Sequence, residues 1–169
     1  MIREILEEYF DSGDLPALDK NEDPFWDPPN PILIGQSFLQ LEPLGVQIEN
    51  QLEAAILSID GTGGRQGTIN LAYKPCNNQG DTDEDSLPPE LQVDDVTELI
   101  GKKNLYFQVY IESACDLPEN LCYNTFVTYQ FKFWPEAIYQ TAECAGSTRT
   151  PQFNYEQMHC IENISKDIA

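Results

Sequence analysis

One histidine, five cysteines and 29 acidic residues set what chemistry this chain could do. His159 stands beside Cys160 with no nucleophile motif around it. A Ser-His-Asp or Cys-His assembly needs a base within hydrogen-bond reach of a nucleophile and a third group to orient it. The sequence supplies no such assembly, so His159 reads as a structural histidine. Cys76, Cys115, Cys122, Cys144 and Cys160 are odd in number and contain no CxxC pair. They spell neither a zinc site nor a disulfide framework, and reduced, mostly buried thiols in the cytosol are the simplest account. Residues 81–98 hold Asp81, Asp83, Glu84, Asp85, Glu90, Asp94, Asp95 and Glu98 without a Lys or Arg. That run reads as a solvated loop between two folded pieces, and polar surroundings give its carboxylates no apolar cause for a shifted pKa. Gly61-Thr62-Gly63-Gly64 lacks the Gly-Lys-Ser/Thr ending of a phosphate loop and lies between two strands, so it reads as a hairpin turn. No catalytic residue, cofactor or metal site is expected.

The elements that would position these residues are mostly strands. Residues 2–10 carry Ile2, Ile5, Leu6, Tyr9 and Phe10 at helical spacing, with Ser12-Gly13-Asp14 ending the helix. Residues 46–59 and 68–73 form the first strand pair. A short helical turn is expected over residues 93–101. Residues 105–111 alternate Leu105, Phe107, Val109 and Ile111 against Tyr106, Gln108 and Tyr110, the period of a half-buried strand. A loop over 113–121, one long strand over 123–133, and strands over 138–141 and 153–161 complete the pattern. Thr148-Arg149-Thr150-Pro151 turns the chain before the last strand. Short strands at close spacing without long helices predict an all-β protein, an antiparallel β-sandwich with a short N-terminal helix. Apolar residues make up 41% of the 169, and eight Tyr, eight Phe and two Trp exclude a wholly disordered chain.

Asn21 to Gly35, NEDPFWDPPNPILIG, is the most distinctive stretch. Pro24, Pro28, Pro29 and Pro31 each fix φ, remove a donor and push the preceding residue towards an extended conformation. The run can be neither helix nor central strand. A solvated linker is the plain reading, but Phe25 and Trp26 argue for a strap packed on a domain, because a linker has no use for two large rings. A second candidate for binding is the aromatic stripe Tyr123, Phe126, Tyr129, Phe131, Phe133 and Trp134, with the last four as the candidate face; its mixed parity favours core packing, with one side free to meet a neighbouring domain.

Two resemblances follow from these residues. DPFWDPP followed closely by LIG resembles a segment in the tails of transport kinesins of the kinesin-three family, on the branch that includes ciliary members. The order of strand, ACDLP loop, long strand and TPQFNYEQ turn is similar to the first half of a C-two type β-sandwich, the phospholipid-binding fold. Calcium ligands in that fold come from aspartates in two loops. Here Asp116 stands in the first loop, Asn124 is a neutral ligand at best, and the second loop has no counterpart, so no calcium site is implied. The resemblance implies a non-catalytic interaction module of a motor protein tail, making cargo, self-association or autoinhibitory contacts. It also implies a cytoplasmic, microtubule-associated setting, with the cilium as its finer form. Its partners would be kinesin motor or tail segments or a cargo adaptor; the parent would be an ATPase although this chain has no nucleotide site.

Charge narrows the partners. Nine basic residues leave a net charge of −20, a field that repels nucleic acid and anionic lipid. Lys102, Lys103 and Lys132 are the weak candidates for lipid contact in the alternative reading, a calcium-independent phospholipid-binding module. No apolar run approaches the roughly 20 residues that span a bilayer as a helix. The expected organisation is an N-terminal helix and cap over 1–20, the strap plus a hairpin over 21–80, an acidic linker over 81–101, and a C-two-like, apparently incomplete sandwich over 102–169. If the strap packs, replacing Phe25 and Trp26 by Ala lowers the unfolding free energy by roughly 3–5 kcal/mol per ring. Thermal melting of the double variant checks this, and an unchanged transition would mean a solvated strap.

Overall fold

The computed structural model describes residues 9–11, 30–45, 48–89, 93, 96–101, 104–162 and 164. Two compact units are formed, Met1–Ile32 and Leu33–Ala169. In the first, Tyr9, Phe10 and Asp11 are helical, as the spacing predicts; the rest of that helix, its cap and the strap from Asn21 to Pro29 lie outside the described residues. Among the described residues all strands belong to the second unit.

Among the described residues, eight strands form an all-β antiparallel sandwich: β1 (Asn50–Leu57), β2 (Arg65–Cys76), β3 (Leu105–Cys115), β4 (Tyr123–Thr125), β5 (Thr128–Phe131), β6 (Trp134–Gln140), β7 (Cys144–Ser147) and β8 (Gln152–Ile161). One layer is a four-stranded sheet in the order β1-β2-β3-β8. The opposing layer is a ribbon, β4 and β5 running against β7 and β6. The hairpin strands β1 and β2 and the later strands β3 and β8 therefore share one sheet, although the acidic run separates them in sequence.

The inner face of the sheet carries the alternating apolar set. Tyr73 and Leu71 on β2, Phe107, Val109 and Ile111 on β3 and Ile161 on β8 are all buried. Phe107 has no exposed surface. Leu44, at the end of a short helix Glu42–Gly45, and Leu99, in a 3-10 turn Val96–Leu99, close one end of the core. The helical turn expected over 93–101 is thus a tighter 3-10 turn. The acidic run is exposed at Asp81–Asp85 but tied down on its flank by buried Leu87.

Several boundaries differ from the sequence expectation, each for a local reason. The strand starting at Leu105 continues to Cys115, so the expected loop begins at Asp116, whose φ of 56° turns the chain. The long strand expected over 123–133 is broken. Asn124 adopts φ 48° and its Oδ1 accepts the Gly146 N–H at 2.7 Å. The Thr141 hydroxyl then accepts the Val127 N–H at 3.0 Å in place of a backbone carbonyl. Lys132 and Phe133 form the hairpin turn into β6, so the end of the expected strand is the tip of the ribbon. β7, Cys-Ala-Gly-Ser, has little intrinsic strand preference and forms because β4 offers it a partner. Pro75 is tolerated inside β2 because β1 reaches only as far as Tyr73, leaving β2 one neighbour there.

Packing at two points is tight enough to test. Phe107→Ala should cost about 3–5 kcal/mol through the cavity it leaves. Gly67 adopts φ 137°, and a Cβ there would lie 2.6 Å from the Cys115 carbonyl oxygen. Gly67→Ala should therefore destabilise by about 1–3 kcal/mol, read as a shifted urea midpoint at unchanged slope.

Candidate functional site

The densest convergence of chemistry-bearing side chains lies in the seam between sheet and ribbon. The β3–β8 register sets Phe107 opposite His159 on the inner face. The β5–β6 register sets Tyr129 opposite Tyr139 on the ribbon. His159 is only 5% exposed. Its ring centroid lies 4.5 Å from Tyr139, 4.9 Å from Phe131, 5.3 Å from Phe107 and 5.8 Å from Tyr129. Most of these crossings are edge-to-face, the arrangement ring quadrupoles favour. Tyr129 Oη and His159 Nε2 share a hydrogen bond of 2.8 Å whose direction depends on the imidazole tautomer.

The electrostatics follow from that enclosure. Burial drops the His159 pKa from 6.5 to about 4, so the imidazole is neutral at physiological pH. Burial, then the adjacent Tyr155 hydroxyl, push the Tyr129 phenol well above the ordinary tyrosine range. Both partners are neutral and enclosed. The pair can hold two layers together; it offers no solvent-accessible base.

The sequence candidates separate accordingly. Phe131 is buried, and Tyr129, Phe133 and Trp134 are half-buried and packed against the core. Phe133 stacks on Phe131 at 5.3 Å, and Trp134 meets both rings edge-on. These four come together as packing, with Phe133 and Trp134 towards the ribbon tip. Lys132 is exposed at that tip, while Lys102, Lys103 and the strap residues Asp23, Pro24, Phe25, Trp26, Asp27 and Pro28 lie outside the described residues. Asp116 is exposed and Asn124 is engaged by Gly146. Among the described residues no three His, Cys, Asp or Glu side chains gather as metal ligands would. All five cysteines are free thiols; Cys76 and Cys122 are buried, whereas Cys115, Cys144 and Cys160 are half-buried. Burial pushes the Cys76 thiol up to about 11, away from reactivity at neutral pH. Tyr139 and Tyr155 were not singled out by sequence. The signal for Tyr139 is its place beside Ile138: Ile138 is exposed and Tyr139 turns inward. No helix among the described residues is long and apolar enough to cross a membrane.

What the fold and seam define is an antiparallel β-sandwich held together by an aromatic core. No protein-family model matches the chain. It is similar to Kinesin-like protein KIF28P of Homo sapiens, 25% identical over 142 residues, which cover 82% of this chain and 14% of that protein.

The buried imidazole makes a signed prediction. Below pH 6.5 the unfolded chain takes up a proton that the folded chain refuses until about pH 4, so stability falls as pH drops through that window. The His159 contribution approaches about 1.4 kcal/mol per pH unit and at most about 3 kcal/mol in total. Urea midpoints of the wild type and His159→Phe at pH 7.5 and 5 check this (pH values of roughly this spacing suffice). The wild type should lose more than the variant on acidification; equal losses would place the imidazole in water.

Proposed function

We propose that this chain is a non-catalytic interaction module from the tail of a kinesin-like motor protein of the kinesin-three type. The likeness to Kinesin-like protein KIF28P over 82% of the chain carries this reading. The all-β sandwich and the absence of a phosphate loop from the sequence support it. In this reading the sandwich is C-two-like, and the module makes cargo, self-association or autoinhibitory contacts while microtubule-based movement and ATP turnover belong to the parent motor. The strap Asp23–Pro28 supplies aromatic anchors, and the setting is cytoskeletal, with a ciliary motor as the finer possibility. The phospholipid reading has less behind it. Lys132 is exposed, but it acts within a net charge of −20 that repels anionic lipid.

Analytical ultracentrifugation of the purified chain with separate segments of a kinesin-like protein, and with itself, tests the proposal. The expected result is a complex with one such segment, no ATP hydrolysis by the chain, and no sedimentation with phosphoinositide vesicles. Vesicle binding at low salt together with no protein complex would overturn it.

A further inference from the structure

The four-stranded sheet ends on β1 at one side and β8 at the other, and the two edges are treated differently. β1 is clasped. Gln36 and Leu57 exchange both backbone hydrogen bonds at 2.9 Å, and Ser37 Oγ donates to the Ala55 carbonyl at 2.6 Å. Gly35 lies so close that a Cβ there would sit 2.5 Å from the Leu57 oxygen. β8 is covered less: among the described residues no strand or isolated bridge pairs with its outer side, and its backbone is met by a side-chain bond from Gln157 Nε2 to the Met158 carbonyl at 3.0 Å.

Sheet edges are usually blunted by short strands, proline, lysine or bulges. β8 uses these only at its start, where Pro151 precedes it and Asn154, at φ 45°, marks an irregularity in its register with β3. From Tyr155 to Ile161 the register with β3 is unbroken, no proline occurs, and Glu156 is the only acidic or basic side chain besides neutral His159. Seven regular residues present an edge of about 23 Å, ample for strand addition.

We propose that the β8 edge over 155–161 accepts an extended, basic segment of a protein partner as a fifth strand. This rests on the interaction-module reading and names its surface. Charge selects the occupant. Glu156 and, at the strand end, Glu162 are both exposed, within a chain of net charge −20. A second copy would bring the same charge and be repelled. A segment alternating Lys or Arg with apolar residues would set its cations on the outer face beside Glu156, their stems against half-exposed Met158, and its apolar side chains on the inner side beside Tyr155.

The test is backbone amide exchange and chemical-shift mapping of the 169-residue protein with a synthetic peptide alternating Lys and Val. A peptide of equal charge with Pro replacing alternate Val, and a Glu/Val counterpart, serve as controls. The Lys/Val peptide should slow exchange of alternate amides over 155–161, the two controls should not, and Glu156→Lys should weaken binding about fivefold. Equal binding of the proline peptide would reduce the effect to bulk charge and overturn the inference. Protection that appears without peptide and grows with protein concentration would overturn it in favour of a second copy. A complex with a kinesin-like segment that leaves β8 exchange unchanged would overturn the edge assignment while leaving the module reading intact.

Discussion

A two-stranded ribbon is marginal by itself in water, and the sandwich exists because this ribbon is held to the sheet by rings. Phe107, fully enclosed, meets Phe131 edge-on at 5.6 Å, and His159 sits among Phe107, Phe131, Tyr129 and Tyr139. Each ring pair adds roughly 0.5–1.5 kcal/mol beyond its area burial. An imidazole can join such a cluster only if it stays neutral and keeps a hydrogen-bond partner, and Tyr129 is that partner. The only histidine in the chain is thereby committed to cohesion between layers. That explains why the imidazole is almost wholly withdrawn from solvent.

The same core dictates the treatment of the chain around it. Tyr73 is buried with its hydroxyl satisfied twice, accepting from Asn50 Nδ2 and donating to the Gln40 carbonyl, both at 2.7 Å. The second bond draws the segment before β1 against the sheet, where Leu44 enters the core and Gln36 clasps the edge strand. The long excursion between β2 and β3 is anchored by Leu87 and Leu99, leaving Asp81, Asp83, Glu84, Asp85 and Glu98 exposed. The described acidic side chains of that excursion thus face outward, adding to the negative field of a chain of net charge −20.

How much of this the sequence revealed depended on whether the pattern was local. The period-two alternation of Leu105–Ile111 gave a strand with its buried face correct, and the apolar spacing near Tyr9 gave helical residues. The broken ribbon was opaque because it turns on the left-handed Asn124 and on a threonine hydroxyl replacing a backbone acceptor, and neither leaves a periodic trace. β7 was opaque because its residues form a strand only when β4 is beside them. His159 was readable as structural from its isolation, but its partners were not, since Tyr129, Tyr139 and Phe107 come from three other strands. The union of β1 and β2 with β3 and β8 in one sheet is a long-range pairing across the acidic run, which composition suggested as a boundary.

Because the chain has a single imidazole, its titration can be followed without assignment ambiguity. The most direct test of the aromatic seam is an NMR titration of the His159 ring in the folded protein. The account predicts an apparent pKa near 4, with the Tyr129 and Tyr139 ring signals shifting in the same step. A midpoint near the ordinary 6.5, with those tyrosines unmoved, would contradict it.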